Sequence, residues 1–119
     1  ETAMEGFNPE FYAQNKEKLI GPNGAWSDLR DNVATHQRLT DAALSHNTLD
    51  RLVSIQAPTL VMHNGLDFIT APRLTMPVEQ NIPGAEGYWM RNAAHVVTGR
   101  EARIEFCNVL LNFLEKHSG

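Results

Sequence analysis

The run NAAHVVTG, residues 92–99, sets a single histidine between small residues and a β-branched pair, directly after a strand-like segment. Twenty-eight positions earlier, HNGLDFIT places Asp67 in the same kind of setting. An imidazole can take and return a proton near neutral pH. A carboxylate that accepts its Nδ1 proton fixes the tautomer and stabilises the imidazolium formed in transit. His95 and Asp67 together are therefore a candidate acid–base pair. Taken singly, each has a plainer reading: His95 as a packed or surface histidine, and Asp67 as a turn residue, since Asp favours turns.

Whether the two can meet depends on the elements that carry them. TLVMH (59–63) follows Pro58 and is apolar at both parities, the pattern of a strand covered on both faces in a parallel sheet. GLDFITAP reads as a loop, and Pro72 to Ile82 as a helix stopped by Pro83-Gly84. Pro77 lies inside that helix, which predicts a kink or a late start. EGYWM (86–90) is a second strand. A final helix from about Glu101 to Lys116 carries Ile104, Cys107, Leu111 and Leu114 on one face, widened by Phe106, Leu110 and Phe113, and is expected to be heavily buried. The order β-α-β-α implies two parallel strands joined by a right-handed crossover. Asp67 then lies just beyond one strand and His95 just beyond the other. Parallel strands share a C-terminal edge, where open α/β sheets hold their ligands.

Residues 1 to about 50 differ in character, being polar and helical. Asn8 and Pro9 have the types expected of an N-cap and first helical residue, with Phe11, Tyr12 and Leu19 on one face. GPNG (21–24) is a loop. Ser27 is a candidate cap for a second helix through Leu29, Val33, Ala43 and Leu44 to Ser45, and TLDRL (48–52) reads as a short further turn.

Composition narrows the function classes. A net charge of −4 with scattered Lys and Arg gives no basic stripe to track phosphates, so nucleic acid is not an expected partner. No apolar run has the length of a membrane span, and the start lacks the features of a signal peptide. One cysteine, Cys107, rules out an internal disulfide and suits a cytoplasmic location. Its place on the expected buried face makes it an inert core thiol. C-x-x-C and H-E-x-x-H spacings are absent, so neither a metal nor another cofactor is expected. Asp41 and Asp50 read as solvated or capping, His36, His46 and His117 as polar-face or tail residues, and His63 as packed, with a pocket-lining role as the alternative. The opening Glu1 suggests processing or trimming of a longer chain.

Over residues 50 to 116 the chain resembles the C-terminal part of the α/β-hydrolase fold. The matching text is IQAPTLVMHNGLDFITAP, NIPGA and AAHVVT. Family members usually carry Gly where Asn64 stands, Pro where Ala71 stands, and often Gly where Ala94 stands. The resemblance implies that Asp67 is the catalytic acid and His95 the catalytic base. It also implies a helical cap over residues 1–50, preceding the β-α-β-α core part over 51–119. The family's nucleophile lies in G-x-S-x-G, upstream of both residues. None of Ser27, Ser45, Ser54 or Ser118 has that setting. The nucleophile and oxyanion hole are therefore expected from an N-terminal half of the same hydrolase, present as a partner polypeptide, with a small apolar ester, thioester or lactone as substrate. Since one fold hosts many functions, the alternative is a non-hydrolytic member: a ligand receptor, a cyclase or acyltransferase accessory, or a pseudoenzyme.

Overall fold

The computed structural model describes residues 6–24 and 33–118. Ser27 and Leu29, which the sequence assigns to a cap and a helix face, lie outside the described residues. Among the described residues, four helices, a 3₁₀ turn and two strands follow in the order α1 (Pro9–Ile20), α2 (Val33–Ser45), 3₁₀ (Leu49–Ser54), β1 (Leu60–Asn64), α3 (Pro72–Asn81), β2 (Glu86–Met90) and α4 (Arg100–Lys116).

Helix α1 begins as its sequence dictates. The Asn8 side-chain oxygen accepts from the Glu10 and Phe11 amides at 3.0 and 3.3 Å, and Pro9 occupies the first turn, where its missing N–H costs nothing. Helix α2 lies apart: its residues from Ala34 onward are all exposed, and Leu44 is 81% exposed. The short turn that follows is 3₁₀ in type, and its first amide is taken by Asn47 rather than by the Thr48 hydroxyl. Helix α3 starts at Pro72 and runs through Pro77, so the late start expected from that proline does not occur. It ends before Pro83-Gly84, where Gly84 adopts a positive φ of 74° that a side chain would disfavour.

β1 and β2 pair in parallel as a two-stranded sheet, in a register running from Leu60 opposite Glu86 to Asn64 opposite Met90. Helix α3 packs against β1 and the 3₁₀ turn, and α4 against β2. Val61, Ile82, Met90, Ala93 and Ala94 form the buried apolar centre, together with Phe7 and Ala71.

Two expectations of burial need correction. Strand β1 is not covered equally on both faces: Val61 and His63 are buried, whereas Leu60, Met62 and Asn64 are only half-buried. Helix α4 has no buried residue, and Ile104, Leu111 and Leu114 on its apolar face are each about half exposed. Cys107 is likewise exposed rather than in the core. The physical reason is shared. Two strands offer too little surface to cover a 17-residue apolar helix and the second face of a sheet.

The face of β1 that is covered carries a polar lock. His63 is fully buried, with Nε2 2.6 Å from Glu79 Oε2 and Nδ1 2.7 Å from Thr75 Oγ1, both on α3. Its ring also lies 4.8 Å from that of Trp89 on β2. Gly87 makes this possible, because a Cβ there would collide with the Glu79 carboxylate. The histidine is thus a packed residue that cross-links strand and helix. Tyr88 to Glu105 and Lys116 to Glu86 add exposed links between β2 and α4, of the kind that contributes little. In urea unfolding of the folded protein, His63→Ala is expected to cost about 2–4 kcal/mol, through the cavity and the two orphaned partners. Lys116→Ala will leave the unfolding midpoint nearly unchanged.

Candidate functional site

The in-register pairing of Asn64 with Met90 makes both strands end at one level, so their outgoing loops leave from a common edge. The two loops are then stitched together. Gly65 N–H donates to Met90 O at 3.0 Å, and Leu66 N–H to Ala93 O at 2.9 Å. Gly65 is required by this close approach: a Cβ would sit 2.5 Å from the Arg91 carbonyl oxygen. The Asn64 side chain adds a third stitch, donating through Nδ2 to Ala94 O at 2.9 Å. On the far side of the histidine, Val96 N–H donates to Gly6 O at 2.8 Å. The backbone is therefore held immediately before and immediately after His95.

Asp67 is folded into a tight local turn. One carboxylate oxygen, Oδ1, accepts from the Ile69 and Thr70 amides at 2.9 and 2.8 Å, the arrangement that short acidic side chains favour at turns. The other, Oδ2, accepts from the Thr70 hydroxyl at 2.6 Å and faces His95 Nδ1 at 3.0 Å. The two residues named from the sequence thus meet within hydrogen-bond distance.

Electrostatics assign the proton. Burial, the largest single influence on Asp67, pushes its carboxyl up. Hydrogen bonds from the Thr70 hydroxyl, the Thr70 amide, His95 and the Ile69 amide together outweigh it, and the carboxyl is held below its ordinary value. An ionised carboxylate is acceptor-only, so Nδ1 carries the hydrogen and Nε2 of the neutral ring presents its lone pair. Among the described residues no hydrogen-bond partner meets Nε2, and the His95 side chain is 41% exposed. The ring is fixed at one nitrogen and open at the other, the geometry of a general base.

Reading the sequence missed two contributors. Thr70 lies three residues after Asp67, a spacing at which a hydroxyl can return to the carboxylate, and that D-x-x-T pattern was the available signal. Asn64 stood out only as a departure from the family pattern, yet it anchors the histidine loop. His63 points away from this edge into α3. Among the described residues no group of three or more His, Cys, Asp or Glu gathers to hold a metal, and no helix is long and apolar enough to cross a membrane.

A parallel β-α-β-α unit bearing an Asp–His pair across adjoining C-terminal strand ends defines the class: the chain has the fold of the C-terminal part of an α/β-hydrolase. It is similar to MGS-M2, an alpha/beta hydrolase enzyme from a Medee basin deep-sea metagenome library, with a TM-score of 0.68 and 22% identity over 96% of this chain and 42% of that one. It is also similar to Est816, described as an N-acyl homoserine lactone degrading enzyme, with a TM-score of 0.53 and 28% identity over 92% of this chain and 40% of that one. The chain spans about two fifths of the length of each. No family model matches it, and no curated protein does.

The lowered Asp67 carboxyl has a defined consequence for stability. Folding favours its ionised form, so this contribution is present above the unfolded value of about 4 and is lost as pH falls through the lower folded value. Asp67→Asn is expected to unfold at lower urea than the unchanged protein at pH 7, and the gap will narrow at pH 3. Urea midpoints of both proteins at the two pH values check this.

Proposed function

We propose that this chain supplies the acid–base half of a serine-type α/β-hydrolase that cleaves a carboxylic ester, thioester or lactone. The observation that supports it is the contact of Asp67 Oδ2 with His95 Nδ1 at 3.0 Å, with Nε2 of the same ring unengaged among the described residues. In this reading Asp67 and His95 are the catalytic acid and base. His95 Nε2 takes the proton of an attacking serine hydroxyl as the tetrahedral intermediate forms, then returns it to the leaving oxygen or sulfur. Asp67 holds the ring and stabilises its charged state during transfer. Acid–base help of this kind is typically worth ~10²–10⁴ in rate.

The nucleophile and the oxyanion hole belong to an N-terminal half of the same hydrolase. The half-exposed Ile104, Leu111 and Leu114, and the half-covered face of β1, are the surfaces that such a half would bury by extending the sheet. Residues 1–50 act as the cap over a small apolar substrate. Est816 is described as degrading N-acyl homoserine lactones, and a lactone carbonyl is within the substrate class proposed here. No metal or other cofactor takes part in this reading, and the single thiol, Cys107, suits a reducing cytoplasm.

The test uses the assembled enzyme with a chromogenic short-chain ester and a homoserine lactone. His95→Ala is expected to lower kcat by about 10⁴-fold or more with the fold intact. An organophosphonate will label one serine of the N-terminal half in the unsubstituted enzyme. Full turnover in His95→Ala, or an inert residue where that serine is expected, rejects the hydrolase reading.

A further inference from the structure

The Thr70 hydroxyl occupies the space between the two members of the pair. Its oxygen is 2.6 Å from Asp67 Oδ2 and 3.2 Å from His95 Nδ1. A hydroxyl has one hydrogen to give. The short contact with an ionised, acceptor-only oxygen takes that hydrogen. The lone pairs of Oγ1 then face the Nδ1 hydrogen, which Asp67 Oδ2 also accepts at 3.0 Å. The three groups form a closed triangle in which the imidazole hydrogen is shared between two oxygens.

We propose that Thr70 is a positioning residue of this pair, pinning the Asp67 carboxylate through Oδ2 and taking a share of the Nδ1–H bond of His95. The proposal rests on the hydrolase reading only for its consequence in catalysis; the hydrogen bonds themselves do not depend on it. Both carboxylate oxygens accept from local donors, Oδ1 from two backbone amides and Oδ2 from Thr70, which leaves Oδ2 one lone pair for the imidazole. The carboxylate therefore cannot rotate to meet the ring, and the ring comes to it. A charge already stabilised by three local donors also draws less on the imidazole proton. Thr70 therefore shares the Asp67 charge with the imidazole Nδ1–H. Among the described residues, Asp67 is the one charged group that a hydrogen bond or ion pair joins to His95, so no second charge competes for this effect.

The readout is the titration of the His95 ring, followed by ¹H–¹⁵N imidazole resonances in the intact protein. Thr70→Val keeps the size and the backbone amide but removes the hydroxyl. It is expected to move the His95 midpoint upward, because loss of the 2.6 Å bond to Asp67 Oδ2 outweighs loss of the 3.2 Å acceptor of the Nδ1 hydrogen. Thr70→Ser restores the hydroxyl and is expected to restore the original midpoint. Because Thr70 is exposed, both variants are expected to fold; Thr70→Ala replaces the valine variant if near-ultraviolet circular dichroism shows that it does not. An unchanged or lowered midpoint in the variant without the hydroxyl overturns the proposal, as does failure of serine to restore it. A purely structural role would change the urea midpoint and leave the titration in place. No substrate is used, so a protein that lacks hydrolytic activity but shows the shift rejects the hydrolase reading and keeps this one.

Discussion

The parallel register of β1 and β2 is the constraint on which the site depends. With Asn64 opposite Met90, both strands stop at the same level, and the loops that follow have one edge to share. A slip of one residue would turn each side chain of a strand to the opposite face. His63 would then leave its contacts with Thr75 and Glu79, and Asn64 would no longer reach the Ala94 carbonyl. The buried histidine therefore does more than fill space. Its two hydrogen bonds are directional, and only one alignment of strand and helix satisfies them together. The packing of β1 against α3 and the placement of the catalytic candidates are parts of one geometric solution.

Two of the histidine–carboxylate pairs among the described residues, His63–Glu79 and His95–Asp67, differ in which partner is exposed. His63 is sealed while Glu79 stays partly exposed: both ring nitrogens are engaged and the ring offers no surface to a reactant. His95 with Asp67 reverses the burial, with the carboxylate enclosed and the ring at the surface. The same pair of functional groups thus serves cohesion in one place and offers an accessible base in the other. Chemistry follows from which nitrogen is left free, not from residue type.

Most of the frame was legible because its signals are local. The strand 86–90 and the helix start at Asn8-Pro9 appear as the residue types require, and the other strand and the last helix lie within one residue of expectation. Asp67 and His95 could be brought together because parallel topology alone sends their loops to one edge. Burial was less legible. An apolar stripe states that a helix face seeks cover, but it does not say that the cover lies within the same 119 residues. Hence α4 displays Ile104, Leu111 and Leu114, and Cys107 is exposed. The supporting contacts of Thr70 and Asn64 were not legible either. They depend on where hydroxyl and amide groups fall in space, which residue spacing does not determine. The assignment of residues 1–50 as a cap rests on the family resemblance alone.

The hydrogen bond from Val96 to Gly6 joins two stretches separated by nearly the whole described chain. The peptide following His95 is thereby moored to the peptide leading into α1, with Phe7 buried beside it and stacked on Phe11. The entry to α1 thus has a fixed berth beside the base. The Gly-Pro-Asn-Gly stretch at 21–24 is the first break in regular structure beyond that berth. A displacement at the entry to α1 would draw on the peptide that follows His95, so the seating of the first helix and the placement of the imidazole form one mechanical unit.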